Sequence, residues 1–450
     1  MASREIEWLK REVVAWERDG VVDAATVARL RTRYALAVAH ETSWGRVIFG
    51  SLGALLVGLG IIALLAANWG DLGRPTRTVI AFAPLGACAI LYVAGYLRGW
   101  RARAFLEPLG LFWGLAIGAG IALIGQTYHL PPDAESFTLV WTLLLIPVCY
   151  ATRALAPVAG YFAGLLTWVS MSQLSGGVGL WYWPLASIIA PLLISVRREP
   201  EAEGRSTWML WAAALSCTAA LGITLEKSMP GIWMIAYTGA FAALLMGGEV
   251  RGGDERGWWR NPLRTLGGGG LAVVLFLLIF QWPWDEVGWS HWREDVFHHR
   301  WATGFDFSLS IALPVAAAFL LVLAFRRAPR RAWHGVPLPP AWALWGAAPF
   351  VTAIAYAMAA YGASDQSPAL LMTFYLAGLG LATLGDGLVE RRPGLINMGV
   401  LVFLAVALGR FFSSEASFTA KGVVFIVCGG VFLATNLVVS RRMKQKGGAA

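Results

Sequence analysis

The sequence predicts an all-α polytopic membrane protein with about 14 transmembrane helices. Of its 450 residues, 57% are hydrophobic and only 14% are charged, and the mean hydropathy is +0.60. Soluble proteins carry roughly 25% charged residues. A helix needs about 20 apolar residues to cross a bilayer, because only intrahelical hydrogen bonds satisfy its backbone in lipid. Apolar runs of this length recur along the whole chain.

Residues 1–45 precede the first apolar run and predict a small cytoplasmic helical hairpin. Its first helix is indicated by Ile6, Leu9, Val13 and Trp16, which recur at helical spacing. Gly20 offers a stop, and Asp23 is a plausible N-cap for a second helix. This leader is expected to pack against the first span, or alternatively to dock a membrane-protein partner.

Residues 46–440 form the predicted transmembrane helix bundle. The expected spans are 46–66, 76–97, 106–127, 136–152, 154–173, 179–196, 207–225, 231–248, 264–282, 307–325, 341–361, 368–386, 394–411 and 419–440. The pair around Arg153 has the weakest boundary and could be one broken hairpin.

The positions of the basic residues predict that both termini are cytoplasmic. Cytoplasmic loops are enriched in Lys and Arg, and only a minority of the 36 basic residues fall in segments expected outside. Those outer basic residues are Arg74, Arg77, Lys227, Arg293, Arg300, Arg410 and Lys421. The net charge of +9 therefore reflects topology and contact with anionic membrane lipid, with no nucleic acid partner. Residues 441–450 form a basic cytoplasmic tail, and the expected location is the bacterial inner membrane.

Glycine and proline within the spans predict both close packing and interruptions. The third span carries Gly110, Gly114, Gly118 and Gly120 at a spacing that lets helices approach closely. The run Gly267–Gly270 is the expected unwound point. Further candidate breaks are Pro84, Pro147, Pro157, Pro191, Pro314 and Pro349.

The sequence shows no signature of a cofactor, a metal or an enzyme. The cysteines, Cys88, Cys149, Cys217 and Cys428, lie in apolar segments without metal-ligand spacing, so free thiols are expected. Ionisable residues fall near the ends of spans, where water can solvate the charge at a low cost in free energy. Arg410, for example, is expected to pair locally with Glu415.

The outer loop, residues 283–306, is rich in tryptophan. It contains Trp284, Trp289, Trp292 and Trp301, together with His291, His298, His299 and acids that include Asp306. Tryptophan favours the membrane interface, so a loop lying on the outer leaflet explains most of this composition. The alternatives are a lipid-headgroup or sugar-binding platform and, less favoured by the spacing, a histidine metal site.

Two motifs resemble a bacterial membrane-protein family known as domain of unknown function 2157. They are GLGIIALLAANWGDLGRPTR at Gly58–Arg77 and GAGIALIGQTYHL at Gly118–Leu130, and the leader sequence WERDGVV at Trp16–Val22 fits the same family. The resemblance covers about the first 150 residues, and residues 407–430 are similar to the tail of related proteins. The family implies a multi-pass membrane fold without an assigned activity.

Topology places both motifs at the outer face. The expected ligand-binding residues there are Asn68, Trp69, Asp71, Arg74, Arg77, Gln126, Tyr128 and His129. Paired arginines suit phosphate or carboxylate groups, although the same residues could form a network that only holds loops in place.

Three functions follow as hypotheses. The preferred one is a transporter or flippase-like protein that handles an amphipathic, anionic envelope molecule. The alternatives are a non-catalytic scaffold that binds a membrane or envelope protein through the leader or the outer loop, and an envelope-lipid transferase.

Overall fold

The structure, a computed structural model, describes most of the chain between residues 72 and 413. The described residues are 12–13, 16–17, 19–33, 72–100, 103–131, 133–174, 179–199, 203–225, 230–251, 258–285, 287, 300–327, 332–333, 336–337, 340–362, 366–390, 392–413, 422, 426 and 429–430. The chain divides into two compact units, Met1–Arg77 and Thr78–Ala450.

The N-terminal unit contains a short helical turn and helix α1, Ala24–Arg33. Gly20 adopts a left-handed conformation with φ of 70°, which ends the preceding turn. Val13 and Val27 are both buried in one small apolar cluster. A hydrogen bond from the Thr26 side chain lowers the pKa of Asp23, as expected of a carboxylate at a helix start. The turn and the start of α1 agree with the sequence pattern.

The remaining helices follow one another with short connections. They are α2 Arg74–Leu97, α3 Arg103–Tyr128, α4 Ala134–Thr152, α5 Leu155–Leu174, α6 Tyr182–Ile188, α7 Ala190–Arg197, α8 Glu203–Thr224, α9 Ile232–Arg251, α10 Pro262–Leu277, α11 Arg300–Arg327, α12 Ala341–Gly346, α13 Ala348–Ala360, α14 Gln366–Glu390 and α15 Pro393–Ser413. Strands β1 Ala332–Trp333 and β2 Val336–Pro337 form a two-residue antiparallel pair.

Ten helical stretches among the described residues are long and apolar enough to cross a membrane. Twelve of the predicted spans fall on helices, and the apolar helices α10 and α13 are shorter than the ten candidate stretches. The first predicted span, 46–66, and most of the last, 419–440, lie outside the described residues. The total of 14 and the cytoplasmic position of both termini stay predictions.

Arg153 separates two complete helices rather than interrupting one broken hairpin. It has φ of 50°, a left-handed conformation that reverses the chain, and its N–H donates to the Cys149 carbonyl oxygen at 2.9 Å. This bond caps α4, and α5 begins two residues later. The two predicted spans therefore exist as separate elements.

The large unit has two apolar cores. One is built by α3 to α8 around residues such as Tyr161, Leu165 and Tyr182, and the other by α9 to α15 around residues such as Met246 and Leu275. Large apolar side chains also cover the outside; Phe374, for example, is 74% exposed. Apolar side chains on both the inner and outer faces of helices are what a lipid environment requires.

The glycine run does not unwind, so that prediction is wrong. Residues 267–270 lie inside the continuous helix α10. A Cβ added at Gly267 would lie 2.7 Å from the Phe241 carbonyl oxygen and would also meet the Leu245 backbone nitrogen. The glycines thus let α10 lie directly against the backbone of α9, which is the close packing typical of membrane helices.

Close packing by glycine also holds in α3, as the sequence predicts. A Cβ at Gly118 would lie 2.7 Å from the Trp141 ring, and the Trp141 indole N–H donates to the Gly114 carbonyl at 2.8 Å. The glycines therefore bring α3 against α4.

Helix α10 is too short to cross the hydrocarbon core. Its 16 residues span about 24 Å, against about 30 Å of hydrocarbon. Arg410 of α15 donates from Nη1 to the Ile279 carbonyl oxygen, just beyond the end of α10, at 3.1 Å. A cation at the negative end of a helix dipole is favourable. The expected partner of Arg410, Glu415, lies outside the described residues.

Candidate functional site

The predicted outer site is described in part. Arg74 and Arg77 occupy the first turn of α2, in the N-terminal unit, whereas Gln126, Tyr128 and His129 belong to the large unit. The remaining members, Asn68, Trp69 and Asp71, lie outside the described residues. The assembly of these side chains into one site stays a prediction.

The C-terminal end of α3 is fixed by its own hydrogen bonds. His129 is left-handed with φ of 56°, and the Leu130 N–H reaches back to the Gly125 carbonyl at 3.0 Å, as in a Schellman motif. The half-exposed Tyr128 shares a 3.1 Å hydrogen bond between its hydroxyl and the Thr78 hydroxyl. This bond joins the end of α3 to α2 within the large unit.

Trp284 is a core residue, which corrects its place in the proposed outer platform. It is fully buried, and its indole N–H donates to the Leu278 carbonyl at 3.0 Å. Leu278 follows the last residue of the short helix α10, so the indole satisfies a carbonyl that the helix leaves open. Trp289 and Trp292 lie outside the described residues, and Trp301 lies in α11 with a side chain that is not described.

Two apolar segments are interrupted, one in each core. Helices α6 and α7 meet at Ile189, and α12 and α13 meet at Ala347. Each break is followed two residues later by a proline, Pro191 or Pro349. Proline lacks the N–H that would continue the helical ladder. Of the six prolines named as candidate breaks, only these two lie at interruptions of the described helices.

Tyrosine hydroxyls satisfy the carbonyls at both breaks. Tyr161 donates to the Leu185 carbonyl at 2.7 Å and Tyr150 to the Ile188 carbonyl at 2.5 Å. At the second break, Tyr375 donates to the Leu344 carbonyl at 2.6 Å. These partners could not be predicted from the sequence, because a tyrosine in an apolar run gives no sign of the carbonyl that it contacts.

Acidic residues near helix ends serve two different roles. Glu107 accepts from the Leu155 N–H at 2.8 Å, and Asp386 accepts from the Ala341 N–H at 2.6 Å. Each caps the first turn of another helix. Asp306, which the sequence places in the outer loop, instead lies within α11 and is the one charged residue that is fully buried among the described residues. A buried carboxylate in an apolar span is a functional candidate.

A cluster of three arginines surrounds Glu199 at the opposite end of α3 from Tyr128. The guanidinium groups lie 3.1 Å (Arg103), 2.8 Å (Arg153) and 2.6 Å (Arg205) from its carboxylate oxygens. Burial alone would raise the pKa of Glu199, but the hydrogen bonds from Arg153 and Arg205 outweigh it, and the pKa lies below its usual value. Burial and the charge of Arg205 lower the pKa of Arg103. The sequence shows these arginines only as topology markers.

The fold and these polar contacts define a multi-pass α-helical membrane protein. Residues 14–157 match a family model described as a predicted membrane protein (DUF2157), which confirms the family resemblance of the N-terminal part. A search of curated proteins and a search of solved structures each gave no match.

Proposed function

We propose that this chain is a transporter or flippase of the bacterial inner membrane that handles an amphipathic, anionic molecule. The observation that carries the proposal is the pair of proline-interrupted spans, α6–α7 and α12–α13, one in each apolar core. Interrupted helices in corresponding parts of a membrane protein are typical of transporters, where they surround the substrate path.

The anionic character of the substrate rests on the outer-face arginines. Arg74 and Arg77 lie in the first turn of α2, and a helix N-terminus adds its own partial positive charge. Guanidinium groups bind phosphate or carboxylate through paired donors. Gln126, exposed near the end of α3, is the neutral hydrogen-bonding residue of the predicted set.

A lipid-flipping assay tests the proposal. The purified chain is reconstituted into phosphatidylcholine vesicles that contain a trace of fluorescent phosphatidylglycerol, and dithionite is added from outside. Dithionite bleaches only the outer leaflet unless lipid crosses the bilayer. We expect the chain to make the inner leaflet accessible, and to do so more for phosphatidylglycerol than for a fluorescent phosphatidylcholine.

The matched variants separate binding from folding. We expect the triple variant Arg74→Gln, Arg77→Gln, Gln126→Ala to lose flipping while its abundance in the membrane stays at the wild-type level. Arg326→Gln, an exposed arginine in the last turn of α11, removes one charge elsewhere and should leave flipping unchanged. Full activity of the triple variant would disprove the site, and its disappearance from the membrane would make these residues structural.

The scaffold alternative gives a different result in the same system. Wild-type protein that never exposes the inner leaflet would argue against flipping. A membrane protein that co-purifies in fixed ratio, and is lost when residues 1–45 are removed, would instead support a docking role for the leader.

A further inference from the structure

The Glu199 cluster gathers the ends of three separate parts of the large unit. Arg103 is the first residue of α3, Arg153 links α4 to α5, and Arg205 lies in the first turn of α8. Glu199 itself follows α7 in the connection to α8. All lie at the end of the bundle that the charge distribution predicts to be cytoplasmic, where anionic headgroups and soluble phosphates are both present.

The three arginines carry more positive charge than Glu199 and the nearby Glu107 together can balance. Three guanidinium groups face Glu199, and each guanidinium has five N–H donors. Arg205 is only 11% exposed in its side chain, and its Nε is buried without a hydrogen-bond partner in the part of the chain that the structure describes. A buried donor without a partner is costly, so an additional acceptor would stabilise the cluster.

Contacts within the chain help to position two of the arginines. Arg153 is held in its left-handed conformation by the bond from its N–H to Cys149. Arg103 donates from Nη1 to the Thr152 carbonyl at 3.4 Å as well as to Glu199. The side chains of Arg103 and Arg153 remain 43% and 46% exposed. They are therefore both positioned and accessible.

Exposed apolar and aromatic residues adjoin these arginines on the helices. Tyr150 lies one turn before Arg153 and is 40% exposed, and Trp208 lies one turn after Arg205 and is 53% exposed. Amphipathic aromatic rings of this kind are enriched at the level of lipid headgroups. An arginine cluster flanked by such rings suits a ligand that carries both a phosphate and an acyl chain.

We propose that Arg103, Arg153 and Arg205 form a binding site for a phosphate group, supplied either by an anionic phospholipid or by free phosphate. Guanidinium groups suit phosphate because their planar donors contact two oxygens at once. Glu199 holds the arginines together in the empty state and competes with the ligand for the same donors. This site is separate from the proposed transport site, and it does not depend on transport.

Native mass spectrometry of the full chain in detergent tests the proposal. Phosphatidylglycerol, phosphatidylcholine or inorganic phosphate is titrated onto the purified protein. We expect preferential binding of phosphatidylglycerol over phosphatidylcholine. One interfacial basic residue changes the affinity for anionic lipid about 5-fold, so the double variant Arg103→Gln, Arg153→Gln should weaken this binding about 30-fold.

Glu199→Gln distinguishes a ligand site from a purely structural ion cluster. Removing the competing carboxylate should strengthen binding of phosphatidylglycerol about 5-fold, whereas a structural cluster would lose stability and gain no affinity. Arg326→Gln is the control and should bind as the wild type does. Binding that Glu199→Gln leaves unchanged or weakens would overturn the proposal.

The phosphate titration identifies the source of the ligand. Displacement of phosphatidylglycerol by millimolar inorganic phosphate would assign the site to free phosphate, and resistance to displacement would assign it to lipid. If the double variant cannot be purified, Arg153→Gln alone, whose side chain is nearly half exposed, provides the same comparison with an expected 5-fold loss. Unchanged affinity in that variant would also refute the site.

Discussion

Replacing Gly267 by alanine should force helices α9 and α10 apart. The new Cβ would lie 2.7 Å from the Phe241 carbonyl oxygen and would also contact the backbone nitrogen of Leu245. These neighbours are backbone atoms and cannot rotate away as a side chain would. Overpacking of this kind typically costs about 1–3 kcal/mol, and the intrinsic preference of a helix for alanine over glycine offsets at most about 1 kcal/mol of it.

Gly269 provides a control within the same run of four glycines. A Cβ at Gly269 meets nothing within 4 Å, so Gly269→Ala should leave stability unchanged or raise it by up to about 1 kcal/mol. The difference between the two variants is then roughly 1–3 kcal/mol. Since both substitutions add one methyl group to the same helix, their composition and expression are closely matched.

The assay is the apparent melting temperature of the purified protein in detergent, followed by fluorescence-detected size exclusion after heating. We expect Gly267→Ala to melt several degrees below Gly269→Ala. Equal melting temperatures would show that α9 and α10 do not approach each other as closely as the structure indicates. A lower value for Gly269→Ala would show that the other face of α10 is the packed one.

Two further predictions concern polar contacts. Tyr375→Phe should lower stability by about 1–3 kcal/mol, because it leaves the Leu344 carbonyl at a helix break without its hydroxyl donor. The control is Tyr96→Phe, at a 62% exposed position. Equal melting temperatures of the two variants would refute the role of the hydroxyl. The second prediction concerns acid. The pKa of Glu199 is lower in the folded protein than its usual value of 4.5, so the carboxylate stabilises the fold above pH 4.5. This stabilisation is lost as the pH falls through the folded pKa. Between pH 6 and pH 4, the melting temperature of the wild type should therefore fall further than that of Glu199→Gln. Parallel pH profiles of the two melting temperatures would contradict this.

The sequence predicts the spans well because each depends on its own composition. Apolar runs such as 106–127 and 368–386 become α3 and α14 with boundaries shifted by only a few residues. Arg153 divides its two spans where the sequence marks a possible break. These features need no knowledge of what a helix contacts.

The interruptions and the interior polar contacts could not be predicted with the same success, because they depend on neighbours that are distant in the sequence. The four-glycine run that contains Gly267 has the composition of a flexible segment. In the structure, Gly267 instead lies directly against the backbone of α9. The sequence predicts Trp284 at the membrane interface. In the structure α10 ends early, and the buried Trp284 indole donates to a carbonyl just beyond that end. Prolines alone do not identify a break, since Pro314 lies within the unbroken helix α11.

The site predictions also differ in success according to whether the contacts are local or distant in the sequence. Tyr128 and His129 end α3 as the motif suggests, and their surroundings follow from local capping. The arginine cluster around Glu199 joins residues as far apart as Arg103 and Arg205, so only the fold reveals that they converge. The sequence predicts Asp306 in the outer loop because nothing in its composition indicates that α11 begins before it.

The short helix α10 has a consequence for the order of assembly during synthesis. The carbonyls of Leu278 and Ile279, just beyond its end, are satisfied by Trp284, which is synthesised soon afterwards, and by Arg410, which is 131 residues away from Ile279. Unpaired carbonyls in hydrocarbon are costly. The nascent segment therefore completes its hydrogen bonding only after α15 has been made, so the C-terminal core reaches its final arrangement late in translation.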